Sequence, residues 1–293
     1  MNLRDFDPAT PLDFEWNVDE EEYRADPRLN FHTLAQFHRD PRAWRDGFFD
    51  ASEETDAMRL GTALHAKLLT RDDYEDKVAV FTPPINPKTG ERYGATTKTF
   101  QEARDAFHAE NAGKTIISAS DSALIDRMIE EFFFHPIAPK LLSGKWTKTE
   151  WAVCGALSYD EQNLVEVKGR IDAYSPAGLI DVKTTATLDD ASGRDRFRYA
   201  IYDYKYLIQL AFYHLILTDC LGAPFVPCWL VVFERNAPNR VAVYAPTRDV
   251  LESARDVARS WLAQWTFAQR DERFVSRYAS IQMIENYDPN RDY

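Results

Sequence analysis

Hydrophobic and polar positions change period several times along the chain, and each change predicts a different element. Phe31, Leu34 and Phe37 recur every three residues, which predicts a helix starting near Asn30. Pro41 opens a second short helix with Trp44, Phe48 and Phe49 on its apolar side. Met58 to Leu69 places Leu60, Leu64 and Leu68 on one helical face, with Gly61 and His65 four apart and therefore neighbours on the surface. Residues 70–115 form a polar excursion in which Pro83–Lys98, rich in Pro and Gly, reads as a loop and Phe100–Asn111 as a helix. A further helix runs to about Phe134, with Ser120 or Asp121 as its cap. From Lys148 the period falls to two. TEWAVCGALS and LVEVKGRIDAY make a hairpin across residues 159–163, and GLIDVKTTA follows after the turn Ser-Pro-Ala-Gly. Phe197–Leu217 reads as one long helix. PCWLVVFER and RVAVYAP form another strand pair, and RDVLESARDVARSWLAQWTFAQ forms an amphipathic helix. Residues 1–27 are acidic and expected to be an irregular lead-in, and the tail from Phe274 is expected to pack on a neighbouring subunit.

The chemistry concentrates in the strands. Alternation puts Asp181 and Lys183 on one face of the third strand, and Lys168, Arg170 and Asp172 on one face of the strand before it. Asp and Lys two apart on a strand usually make a solvated pair of little energetic weight. Here the run Leu-Ile-Asp-Val-Lys is mostly apolar, so the strand reads as central and buried. Buried charges are costly unless paired or metal-bound. Two carboxylates beside an ammonium suit a divalent cation, with the lysine free to hold a phosphate or orient a water. Arg170 would then lie where a phosphate can be bound, and Glu150, opening the first strand, is a further weak candidate. Alone, His65 on an apolar face reads as a core histidine. Gln209 interrupts the apolar face of its helix and shares it with Tyr213, four residues on, and Tyr206.

Taken together, Gly169-Arg170-Ile171-Asp172, Asp181-Val182-Lys183-Thr184-Thr185, and Gln209 with Tyr213 resemble the G-x-x-D, D-x-K and Q-x-x-x-Y pattern of the RecB-like branch of the PD-(D/E)XK nuclease superfamily. Tyr202 to Tyr206 with Gln209 and Ala211-Phe212-Tyr213 is more similar still to the RecE family of exodeoxyribonuclease VIII enzymes. The resemblance implies an α/β fold, a central mixed sheet flanked by helices, with a helical N-terminal part. It implies that His65, Asp172, Asp181 and the Val182 carbonyl hold Mg²⁺, with Mn²⁺ able to substitute. Lys183 would be catalytic, and Gln209 and Tyr213 would position the lysine or the DNA strand. Arg170, Lys205, Tyr206, and Arg92 and Lys98 from the basic loop would contact DNA. The activity implied is degradation of linear duplex DNA from 5′ ends, leaving 3′ single strands for a RecT-like annealing protein. A homo-oligomeric ring is implied, with a tetramer favoured.

Composition changes this picture in one respect. The formal net charge is −12, which repels DNA at long range and requires any DNA-binding channel to be local. At 293 residues and 45% hydrophobic the chain can bury a core, and no apolar run has membrane-spanning length. The organisation expected is one nuclease domain over residues 28–293, its core at about 58–245. The N-terminus lacks a signal-peptide core, so a cytoplasmic protein is expected. Cys154, Cys220 and Cys228 are too few and scattered for a disulfide framework or a four-cysteine iron–sulfur cluster, and read as buried small hydrophobes. Two other readings stay open: a nicking or structure-specific endonuclease on the same fold, and a non-catalytic module binding DNA ends.

Overall fold

The computed structural model describes residues 18, 20–49, 54–159, 163–223 and 225–280. The N-terminal part is helical: α1 (Glu20–Ala25), α2 (Phe31–Arg39), α3 (Pro41–Arg45) and α4 (Asp56–Leu69). Asn30, Asp40 and Thr55 cap the last three, each side chain accepting from a backbone N–H in the first turn. The expected lead-in is therefore ordered in its described portion, as α1; residues 1–17 and 19 lie outside the described residues. α3 ends at Arg45, so Phe48 is not on it and is exposed. A 3₁₀ turn and the short α5 (Tyr74–Lys77) lead to β1 (Val78–Phe81). After the loop and α6 (Lys98–Glu110), β2 (Thr115–Ser118) returns to pair with β1 in parallel. The sequence reading gives no strand in this region. Four-residue strands are too short for a period of two to stand out. α7 (Ala119–Phe134) is capped by Ser118 rather than Ser120 or Asp121. Asp121 is the third helical residue of a capping box, its N–H donating to Ser118 Oγ while its carboxylate accepts from the Ser118 N–H. α8 (Ala138–Leu141) closes this part.

The central sheet follows chain order: β3 (Lys148–Ser158), β4 (Leu164–Ser175), β5 (Gly178–Thr185), β6 (Cys228–Glu234) and β7 (Val241–Tyr244). It is mixed, because β5 and β6 run parallel while the other neighbours are antiparallel. β5 is the middle strand, as its apolar run requires. Leu179 packs towards α10 (Tyr206–Leu215) and α11 (Arg248–Arg270), whereas Ile180 and Val182 pack against α4 and α7. The sheet thus carries a helical layer on each face. No helix among the described residues is long and apolar enough to cross a membrane. The described tail packs on its own chain. Phe274 sits against Phe37 and Trp44, and Ser276 donates to Asp40.

One strand pair is incomplete. β4 and β5 are paired only over Ala173–Ser175, next to their turn. At Asp172 they part, while β4 continues against β3 and β5 against β6. The edge of β4 that β5 leaves is taken up by the N-terminal segment: Leu29 donates to the Glu166 carbonyl and accepts from Lys168 N–H. The Lys168 ammonium reaches back to the carbonyls of Tyr23 and Asp26 at 2.5 and 2.6 Å.

The helix expected over Phe197–Leu217 is broken. α9 (Phe197–Asp203) stops, Lys205 takes a left-handed conformation (φ +61°), and α10 begins at Tyr206. A π-helical turn at Ile216–Cys220 ends it. Nothing in residue type announces the break, because lysine is an ordinary helix former. Left-handed geometry disfavours a side chain with a Cβ and most of all a β-branched one. Replacing Lys205 by Gly is therefore expected to leave urea stability equal or higher, and Lys205→Val to lower it by about 1 kcal/mol. Equal midpoints for all three proteins would show that no such constraint operates.

Candidate active site

The parting of β4 and β5 gathers the candidate residues. Asp172 stands at the fork, and its Oδ2 accepts the Val182 N–H at 2.7 Å, replacing the strand–strand bond lost there. Glu150, directly across β3 from Asp172, interrupts the β3–β4 ladder with a left-handed backbone (φ +48°). α4 lies over the other side and contributes His65, whose Nδ1 is 3.7 Å from Glu150 Oε1 and 3.8 Å from Asp172 Oδ1. Potential ligand atoms of His65, Glu150 and Asp172 all lie within 4.8 Å of one another. Glu150, the weakest candidate in the sequence, is thus part of the cluster.

Asp181 is nearly inaccessible, at 2% exposure, and its Oδ2 lies 2.7 Å from Lys183 Nζ. Neither carboxylate oxygen has a well-formed hydrogen bond among the described residues. A buried carboxylate with only one cationic neighbour is under-satisfied, and a second cation is what such a group calls for. One imidazole and several carboxylates are a donor set for a hard or borderline divalent ion. The residues present therefore fit a divalent cation. His65 Nε2 is 3.1 Å from the Val182 carbonyl oxygen. That distance is a hydrogen bond when Nε2 donates, which leaves Nδ1 as the ring nitrogen facing the Glu150 and Asp172 carboxylates.

The electrostatics are strongly coupled. Burial pushes Asp172 up to about 6, helped by Asp181 and opposed by His65 and Lys183. For His65 burial disfavours the cation, but the Asp172 and Glu150 carboxylates outweigh it and raise the imidazole to about 9. Lys183 is likewise raised, since Asp181 and Asp172 overcome the cost of burying its ammonium. Glu150 is lowered: burial opposes its charge, but His65 and Arg170 more than compensate.

The remaining candidates divide. Arg170 joins the cluster as an ion-pair partner of Glu150 at 3.0 Å, with Glu20 of α1 at 3.9 Å. Tyr206 lies under Lys183, the ammonium 5.0 Å from its ring centre. Gln209 donates to the Tyr213 hydroxyl at 3.3 Å, so the half-buried amide finds its partner one turn along α10. Tyr213 packs on β4 where Gly169 leaves room, since a Cβ at that glycine would meet its ring at 2.9 Å. This gives the glycine of G-x-x-D a physical role. Lys205 turns away to the Tyr202 carbonyl and lines a groove with His38 and Trp261. Lys98 heads α6 and pairs with Glu102, and Arg92 lies on the exposed loop; no contact among the described residues joins either to the cluster. Glu20, Tyr23 and Lys77 escaped the sequence reading. Glu20 and Lys77 line, with His65, Glu150 and Arg170, a cleft of 660 Å³ opening from the cluster. Their positions arise from long-range docking that no local pattern signals.

A family model described as a PDDEXK-like domain of unknown function (DUF3799) matches residues 31–284, and the chain belongs to that family. No curated protein matches the sequence. Among solved structures, a crystal structure from Eubacterium rectale described as a candidate exonuclease aligns with a TM-score of 0.59. It is 13% identical, covering 93% of this chain and 96% of that one, and shows a shared fold. A second, the structure of SSO0001, is 17% identical and covers 55% of this chain and 70% of that chain, but its TM-score of 0.26 carries no argument.

The raised groups set a pH dependence. For both His65 and Asp172 the folded chain holds the proton more tightly than the unfolded one. Their stabilising contribution is complete below the unfolded values of 6.5 and 3.8, and is lost as pH rises through about 9 and about 6. A divalent cation competes with those protons, so its stabilisation should grow with pH. The increase in melting temperature on adding Mg²⁺ is expected to be small near pH 5.5 and to rise steadily towards pH 8.5. A shift independent of pH, or none, would remove His65 and Asp172 from the ion's shell.

Proposed function

We propose that this member of the PDDEXK-like family is a Mg²⁺-dependent deoxyribonuclease, with Mn²⁺ able to substitute, that hydrolyses phosphodiester bonds of linear duplex DNA from its ends. The observation that carries the proposal is the convergence of His65, Glu150, Asp172, Asp181 and Lys183 at the fork between β4 and β5. Clustered carboxylates beside a protonated lysine repel a polyanion unless a cation lies between them, and a site of that kind suits phosphate-ester hydrolysis.

His65, Glu150, Asp172 and Asp181 would hold the ion, with the Val182 carbonyl as a further ligand. The bound ion supplies a water of lowered pKa and neutralises charge on the phosphate. Lys183, kept cationic by Asp181, offers its ammonium to a non-bridging phosphate oxygen and stabilises the charge that grows there in the transition state. The Tyr206 ring limits where that ammonium can go. Tyr213 and Gln209 hold α10 against β4 and so fix the position of Tyr206. Arg170, now shared by Glu150 and Glu20, becomes available to a flanking phosphate once Glu150 turns to the ion.

The polarity and setting follow from the resemblance to RecE-type enzymes. The strand degraded would be the one with the 5′ end, the product a 3′ single strand for a RecT-like annealing protein. The assembly would be a ring, a tetramer before a trimer. The substrate implies the cytoplasm of a bacterial or phage-infected cell.

The test is a linear duplex with a 5′ label on one strand and a 3′ label on the other, beside a covalently closed circle, in Mg²⁺ or EDTA. Early release of 5′-labelled mononucleotide in Mg²⁺ only, with the circle intact, is expected. Cutting of the circle would establish an endonuclease, and absence of cleavage with any divalent ion would leave a DNA-end-binding module. Lys183→Ala is expected to lower cleavage at least 100-fold while DNA binding persists; unchanged turnover would remove the lysine from the mechanism. His65→Ala should abolish cleavage at limiting Mg²⁺, and wild-type activity there would return His65 to the role of a core histidine.

A further inference from the structure

Lys183 stands over Tyr206, an inner ring of an aromatic column of which the nuclease reading uses only that ring. Tyr244, Phe197, Tyr206 and Tyr204 succeed one another at ring-centre distances of 5.3, 5.9 and 5.7 Å, the last two steps being near-parallel stacks at 22° and 24°. The column is buried at Phe197 and open at Tyr204, which is 68% exposed. Tyr204 and Tyr206 are two apart, and on a continuous helix they would face nearly opposite directions. The left-handed Lys205 between them turns them into a stack. The same break leaves the outer face of Tyr204 open at the end of the column, and an open aromatic face beside a cavity points to a ligand for it.

A cavity of 400 Å³ adjoins it, within the size range of small-ligand sites. Its charged lining is Arg196, Arg235 and Asp203, net positive on a chain of net charge −12. The Arg235 Nε is buried with no hydrogen-bond partner. Thr184, Thr185 and Thr187 add hydroxyls, and Thr184 directly follows Lys183. The wall is rigid. Arg235 and Asn236 N–H groups donate to the Thr185 and Ala186 carbonyls, and the buried Glu234 carboxylate accepts from the Leu188 N–H and from Arg240.

We propose that this cavity is a subsite for one unpaired nucleotide of single-stranded DNA. The base extends the aromatic column by stacking on Tyr204, and Arg235 with Arg196 meets its phosphate. It rests on the reading of the cluster as a nuclease site, which it deepens: the substrate would be a DNA end whose terminal nucleotide is already unpaired. Every base has an aromatic face, so the subsite selects strand state and not sequence.

Binding of a 3′-fluorescein-labelled thymidine octanucleotide, read by anisotropy in EDTA, tests the subsite apart from cleavage. Tyr204 is exposed, so Tyr204→Ala should fold normally, which its thermal melt checks. That variant is expected to bind roughly 5- to 150-fold more weakly, with Tyr204→Trp retaining affinity. An octanucleotide of abasic residues should bind wild type as weakly as the intact one binds Tyr204→Ala. Arg235→Ala should weaken binding and flatten its salt dependence. Equal affinity of Tyr204→Ala and wild type, equal affinity of abasic and intact strands, or no binding by wild type would each overturn the subsite. Because no divalent ion is present, such a failure leaves the nuclease reading to its own assay. A stacking-dependent affinity in a protein that cleaves nothing would sink that reading and keep the subsite.

Discussion

The hydrogen bond from the Val182 N–H to the Asp172 carboxylate is the constraint on which the site depends. Antiparallel strands joined by a tight turn ordinarily stay paired, because each unpaired backbone group inside a fold is costly. Here β4 and β5 separate after three residue pairs, and the side chain of Asp172 satisfies the first N–H left behind. The N-terminal segment satisfies the abandoned edge of β4 through Leu29. Between these two replacements the sheet opens a gap, and the carboxylates of three strands and the imidazole of α4 fill it.

A gap of this kind collects charge that the fold alone would not tolerate. Asp181 is buried with a lysine as its neighbour, Asp172 and Glu150 face each other across a ladder, and His65 stands between them. Burial above all raises Asp172, and the Asp172 and Glu150 carboxylates raise His65, so both groups favour their protonated forms. The cleft beside the cluster carries Arg24, Lys77 and Arg170 but also Glu20, Glu21, Glu54, Asp76 and Glu150, so a polyanion would approach it only with cations neutralising the carboxylates.

Rigid support reaches the site from both faces of the sheet. On one, α4 carries His65 on a helix whose Leu60, Ala63 and Leu64 are in the core. On the other, the Gly169 gap lets Tyr213 approach β4, and the break at Lys205 sets Tyr206 beneath Lys183. The loop from Thr187 to Phe197 is pinned by Glu234, whose hydrogen bonds, first of all those from Arg240, hold its carboxylate at about 2. Two left-handed residues serve the site: Glu150 lies within the cluster, and Lys205 marks the break that starts α10 at Tyr206.

The sequence by itself determined what local periodicity encodes. Alternation in LVEVKGRIDAY and GLIDVKTTA located β4 and β5 and put Asp181 and Lys183 on one face, and the apolar run around Asp181 made β5 central. The spacing of Leu60, Leu64 and Leu68 located α4, and the motif around Gly169, Asp172 and Lys183 led to the right superfamily. Tertiary structure alone decided which charges meet. Glu150 is 22 residues from Asp172 and 85 from His65, and joins them only because β3 pairs with β4 and α4 crosses the fork. The docking of Leu29 and Lys168, the short strands β1 and β2, and the break at Lys205 left no periodic trace, since each is stabilised by contacts distant in sequence or by a single backbone angle. Residue pattern reports the environment one face of an element prefers; which face of another element supplies it is settled only when the whole chain packs.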